Sequence, residues 1–220
     1  MSSHSKAIII VILSGLIWSF GPLVVKNMID PQIYQLPYLV IRGLTVAIII
    51  SCYLLINEGI SFLEKILEID KTTMIGSLSL TTAFLGFIYS ISFTTAAVTL
   101  FMLALMPFLA SIIAFVFLTE KISLQNFISM VVALIGTVIM IYASSFSGSI
   151  FGLIMGFISS LGFAAFSVTL RSKSNFKKFY ILVYGGIFCA LISSAIMIVQ
   201  DQSFFIPSKN VFLSIFHGVI

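Results

Sequence analysis

Apolar runs long enough to cross a membrane alternate along this chain with short polar breaks. From position 72 to 119 there are 48 residues without a charged side chain. A single helix of that length would extend roughly 72 Å, more than twice the ~30 Å hydrocarbon core of a bilayer, so the stretch must fold back on itself. The polar cluster Ser90, Ser92, Thr94 and Thr95 is the expected bend, and the pattern predicts helices over 73–93 and 96–118. Residues 122–170 repeat the argument, with 49 uncharged positions that predict helices over 125–142 and 150–170 and a flexible Ser/Gly turn at 144–149. The remaining apolar runs predict helices over 7–28, 34–56 and 179–200, and the start of another at 211. Segment 58–71 is different. There Glu58, Glu64, Lys65, Glu68, Asp70 and Lys71 interleave with Ile60, Leu63, Ile66, Leu67 and Ile69, which fits a helical turn lying in the membrane interface.

Composition fixes the class. Only 8% of residues are charged, against about 25% in soluble domains, so this is an integral membrane protein. The apolar runs are continuous, whereas barrel strands alternate, so the crossings are helical. The fold class is an all-α polytopic helical bundle of about seven full crossings and part of an eighth. The net charge of +4 does not point to nucleic acid, because the basic residues sit between apolar runs and form no soluble patch. They read as topology signals instead. With a cytoplasmic N-terminus, Lys6, Lys65, Lys71, Lys121, Arg171, Lys173, Lys177 and Lys178 fall inside, and only Lys26 and Lys209 fall outside. That bias predicts a multi-pass protein of the inner (plasma) membrane. The first apolar run has no small-residue cleavage site and reads as a retained helix. Cys52 and Cys189 both lie in apolar runs and read as buried small hydrophobes.

An internal repeat organises the helices. Shifting the chain by 145 residues sets Trp18 on Phe163, Leu16 on Leu161 and Lys26 on Arg171, and drops the second helix onto the seventh. A five-helix unit has an odd number of crossings, so a second copy would enter the membrane inverted, as in many secondary transporters. The units are 1–143 and 144–220. Residues 76–143 have no counterpart in the second unit, and extrapolating the repeat gives roughly 288 residues and ten helices. The second unit is therefore expected to be incomplete.

Several local patterns match a known family. They are Gly15-Leu16-Ile17-Trp18-Ser19-Phe20-Gly21-Pro22 through Lys26, then Arg42-Gly43, then Ser92-Phe93-Thr94-Thr95-Ala96-Ala97 with Leu105-Met106-Pro107, then Phe117-Leu118-Thr119-Glu120-Lys121-Ile122, and Gly136. Together they resemble the EamA-type transporters of the drug/metabolite transporter superfamily, well over 7–143 and more loosely over 150–220. The resemblance implies ten helices in two inverted five-helix repeats and export of small metabolites, amino acids among them. The departure lies at the end of the second unit.

The residues themselves offer few candidates for chemistry. Arg42 is a cation deep in a helix, which is costly unless it faces protein or a water-filled cavity. It could bind a substrate carboxylate or phosphate, pair with Asp30, or snorkel to the outer interface. Trp18, the single tryptophan, sits mid-helix, where cavity lining and core packing are both open. Pro107 frees the Leu103 carbonyl, giving a substrate contact, a hinge or a packing kink. Gly21 and Pro22 are hinge candidates of the same kind. Phe163 and Phe166 enter as cavity candidates only through the repeat. The stripe Gly152, Gly156, Ser160 reads as a close helix contact. His4 and His217 suggest neither a metal nor a proton relay. No carboxylate lies deep in a span, and no phosphate-binding glycine motif follows a strand. The sequence thus points to a secondary transporter that is no enzyme, has no catalytic residues and needs no cofactor or metal. A non-transporting scaffold, an inactive fragment or a membrane-embedded enzyme are the alternatives. The expected partners are the lipid bilayer and a small-molecule substrate, with a homodimer left open and no nucleic acid.

Overall fold

A computed structural model describes residues 3–120, 123–143, 149–171 and 178–220. The elements are α1 (Ser3–Trp18), α2 (Phe20–Lys26), α3 (Pro31–Glu58), α4 (Ser61–Lys65), α5 (Lys71–Phe93), α6 (Ala96–Leu103), α7 (Met106–Leu118), α8 (Leu124–Ala143), α9 (Ile150–Arg171), α10 (Lys178–Val199) and α11 (Ser208–Val219). No strand occurs among the described residues. Among the described residues six helices are long and apolar enough to cross a membrane, taking α1 with α2 and α6 with α7 as single crossings. Most of the turn expected at 144–149 lies outside the described residues, as do Lys121 and, in the basic loop, Lys173 and Lys177.

The hairpin of α5 and α6 turns at its threonines. Asp70 caps the start of α5 by accepting from the Thr73 amide at 2.7 Å. At its end Thr94 and Thr95 are extended, and Thr95 Oγ1 accepts from the Val98 amide to open α6. Ser90, Thr94 and Thr99 join hydroxyls across the bend at 2.9 and 3.1 Å, so these three hydroxyls satisfy one another inside the tight turn, while the Ser92 hydroxyl is buried without a partner.

Two crossings are interrupted where the sequence suggests continuous helices. Pro22 lacks the amide hydrogen that would bond to the Trp18 carbonyl, and the helix breaks at Ser19 between α1 and α2. The expected helix over 96–118 divides at Ala104 and Leu105, with Pro107 in the first turn of α7. There a missing amide hydrogen costs nothing, so the proline starts a new helix instead of kinking an old one.

The two ends of the bundle are tied differently. At one end Lys26 Nζ donates to the Thr94 carbonyl at 2.7 Å and Gln32 donates to the Ser92 carbonyl. Asn210 there brackets Ile29, accepting from its amide and donating to its carbonyl at 2.9 Å each. At the other end Lys65 meets Glu58 at 2.6 Å, the Tyr180 hydroxyl donates to Glu58, Tyr184 donates to the Ile66 carbonyl, and Arg171 pairs with Glu120. The 58–71 segment includes α4, whose Phe62 is buried against Leu54, Tyr180 and Val183 while Ile60, Leu63 and Leu67 stay exposed. Cys189 is buried, but Cys52 is exposed on α3. In a bilayer an apolar side chain facing outward loses nothing, because lipid is as apolar as the protein interior.

The most extensive helix pairings are α5 with α9 and α3 with α10. Pairing is reciprocal about the α3–α10 crossing. A Cβ on Gly43 would lie 2.5 Å from the Gly186 carbonyl oxygen and 3.1 Å from the Ala190 nitrogen, and a Cβ on Gly186 would lie 2.5 Å from the Gly43 oxygen and 3.0 Å from the Ala47 nitrogen. Around it, α5 packs on α9 and α10, as α11 packs on α2 and α3. The small-residue stripe of α9 packs on the hairpin, Gly152 against Thr94 and Gly156 against Ser90 and Met102.

Candidate functional site

Arg42 lies eleven residues into the 28-residue helix α3, toward the middle of that crossing. Its side chain is buried, 6% exposed. It makes no ion pair with Asp30. The guanidinium carbon stands 3.9 Å over the Phe84 ring centroid. Insertion of an arginine at this depth costs about 2.5–3.5 kcal/mol, and a desolvated cation–π contact returns about 2 kcal/mol. The contact therefore offsets most of the cost and leaves some for another partner. Among the described residues Arg42 has no ion pair or hydrogen bond through its side chain, and its Nε is buried without a partner.

Helix α11 brings a second polar group to the same depth. It starts beside Ile29, where Asn210 anchors it, and reaches His217 about 10 Å beyond that anchor. Asn210, Ser214 and His217 fall at spacings of four and three, share one helix face, and are all buried. Phe212, Phe216 and Val219 on the remaining surface are exposed. The helix thus turns its polar stripe inward and its apolar surface to lipid. His217 Nδ1 is 2.6 Å from the Tyr38 hydroxyl, and its ring lies 6.4 Å from that of Phe87. Gly21 makes room for it: a Cβ there would sit 3.0 Å from His217 Nε2.

Between these elements is a cavity of about 190 Å³ lined by Trp18, Gly21, Arg42, Val46, Phe84 and His217, with Gly218 and Ile220 at its margin. Phe163 stands behind it, edge-on to Trp18 at 5.4 Å and to Phe84 at 6.1 Å. Trp18 and Phe163, set on one another by the 145-residue shift, are therefore direct neighbours. Of the residues singled out in the sequence, Trp18, Gly21 and Arg42 line the cavity and Phe163 supports two of its walls. Pro22 is buried in α2 beside it. Pro107 is exposed and does not line it, Phe166 packs into the core, and Lys26 is engaged at the end of the bundle. Tyr38 and Phe84 are not singled out by the sequence, and His217, which suggests neither a metal nor a proton relay there, forms part of the cavity wall. The 210–214–217 polar spacing in an apolar run is the signal that finds His217, since only one helix face can carry it.

A model of the EamA-like transporter family matches residues 5–142. No curated protein matches the chain, and no solved structure does.

Proposed function

The chain belongs to the EamA-like transporter family, and from that membership we propose that it is a secondary transporter exporting small metabolites, amino acids among them, across the inner membrane. The carrying observation is the mid-depth cavity between α2, α3, α5 and α11, flanked by helix pairs that repeat about the Gly43–Gly186 crossing. The reciprocal pairs, Gly43 with Gly186 and Ala47 with Ala190, are each separated by 143 residues, close to the shift read from the sequence. This supports two related units of opposite orientation that rock about a central site, opening it to each side in turn. The broken helices α1–α2 and α6–α7 suit such motion, because each break already lacks a continuous hydrogen-bond ladder.

The basic residues Lys65, Lys71, Arg171 and Lys178 lie toward the end opposite Lys26 and Lys209, which supports a cytoplasmic N-terminus by the positive-inside rule. Substrate entering from that side would be handed past Trp18 to the cavity. Cells expressing the chain and loaded with a labelled amino-acid panel are expected to release at least one member faster than control cells. Equal release across the whole panel would overturn export of this class.

A further inference from the structure

We propose that the cavity selects a small monocarboxylate, held by the guanidinium edge of Arg42 and by the Nε2 hydrogen of His217, with Trp18, Val46 and Phe84 around its apolar body; this deepens the transport reading and rests on it. The Arg42 guanidinium carbon stands over the Phe84 ring, a contact that gives the N–H donors no hydrogen-bond acceptor. Those donors match the two oxygens of a carboxylate. Nε is buried with no partner, and among the described residues no carboxylate reaches the group. A cation desolvated to this degree and left unpaired calls for an anion.

The second donor follows from hydrogen bookkeeping. Among the described residues the Tyr38 hydroxyl hydrogen-bonds only His217 Nδ1; with the phenol donating to that nitrogen, the ring's own hydrogen is on Nε2. Nε2 lies against Gly21, and both residues line the cavity with Arg42. One cation and one neutral donor balance a single negative charge. A phosphate dianion would keep an uncompensated charge at mid-membrane depth, which disfavours it. The volume of about 190 Å³ suits a small ligand, below the ~300–1,000 Å³ of pockets for drug-sized ones.

Trp18 is the sole tryptophan and a wall of the cavity, so its emission reports occupancy directly. The purified full chain in detergent is titrated with carboxylates of increasing chain length, their uncharged amides and the matching phosphate monoesters. A saturable change in Trp18 emission is expected with carboxylates, with amides and phosphates at least about tenfold weaker because they leave the buried donors mispaired. Arg42→Gln should remove the preference for carboxylate over amide, Arg42→Lys should weaken it by less, and His217→Gln should lower affinity severalfold. Size-exclusion profiles and helical circular dichroism identify variants that fold, and the wild-type comparison of carboxylate with amide needs no variant. Equal affinity for carboxylate and amide, tighter binding of phosphate, no saturable change with any carboxylate, or a folded Arg42→Gln that binds as wild type would each overturn the proposal. Flux of uncharged metabolites without carboxylate selectivity would sink this assignment and leave transport standing. Selective binding without flux of any metabolite would do the reverse.

Discussion

Gly43→Ala is expected to force α3 and α10 apart and to cost about 1–3 kcal/mol, the range for overpacking a close-packed contact. The added methyl would lie 2.5 Å from the Gly186 carbonyl oxygen and 3.1 Å from the Ala190 nitrogen. Both are backbone atoms, so no side chain can swing aside. Gly186→Ala meets the Gly43 backbone in the same way and should cost a similar amount. The informative variant is the double one. Once the first methyl has separated the helices, the second finds room already made, so the two costs should add to well under their sum. Denaturant unfolding in detergent, or loss of monodisperse protein on heating, reads all three. A double variant whose loss equals the sum of the singles would mean that the two glycines do not share one crossing.

Asn210→Leu is the second large effect. Asn210 is fully buried and is the link that holds the start of α11 to the α2–α3 turn through the Ile29 amide and carbonyl. Leucine keeps the volume but leaves both backbone groups without their partner, at about 1–3 kcal/mol for each group that water does not reach. The consequence travels along the helix. With α11 loosened at its base, His217 loses its position against Tyr38 and Gly21, and one side of the cavity opens. The Trp18 emission maximum should shift to longer wavelength as its surroundings become wetter. Asn210→Asp, which keeps the acceptor and loses the donor, should fall between wild type and leucine. If leucine leaves both stability and Trp18 emission unchanged, α11 is held by its apolar contacts alone.

Much of the fold was legible in the sequence because a bilayer leaves few choices. A 48-residue uncharged run has to turn, and its hydroxyl cluster was the one place that could satisfy a bend internally, as Ser90, Thr94 and Thr99 do. Helix ends at 93, 96, 118 and 150 follow from the same limits. The start of α3 was less clear. Pro31 begins the helix three residues ahead of the apolar pattern, since proline suits a first turn and Asp30 adopts a left-handed conformation (φ 40°) before it. Pro107 was legible as a local break but not as an exposed one, because the orientation of a helix start is decided by its packing partners.

The site divides along the same line. Arg42 stood out because a charge inside an apolar run violates the local pattern, and Trp18 because it is unique. His217 did not, although it carries as much of the cavity wall. Its meaning depends on Arg42 and Tyr38, some 175 residues away in sequence, and no periodicity encodes that distance. Phe84 likewise looks like any apolar residue of α5 until the guanidinium is found above it. Periodicity finds the helices and the residues that break the rule; the partners that make a broken rule tolerable emerge only in three dimensions.

Solute counterflow in proteoliposomes distinguishes a carrier with an alternately exposed mid-membrane site from a helical scaffold that moves nothing. Vesicles holding the purified chain are preloaded with an excess of an unlabelled short amino or carboxylic acid and diluted into a trace of the same labelled compound. A carrier whose site faces each side in turn should give a transient inward overshoot of label without ATP. Labelled solute that never rises above its external concentration, for every compound shown to bind beside Trp18, would contradict the account.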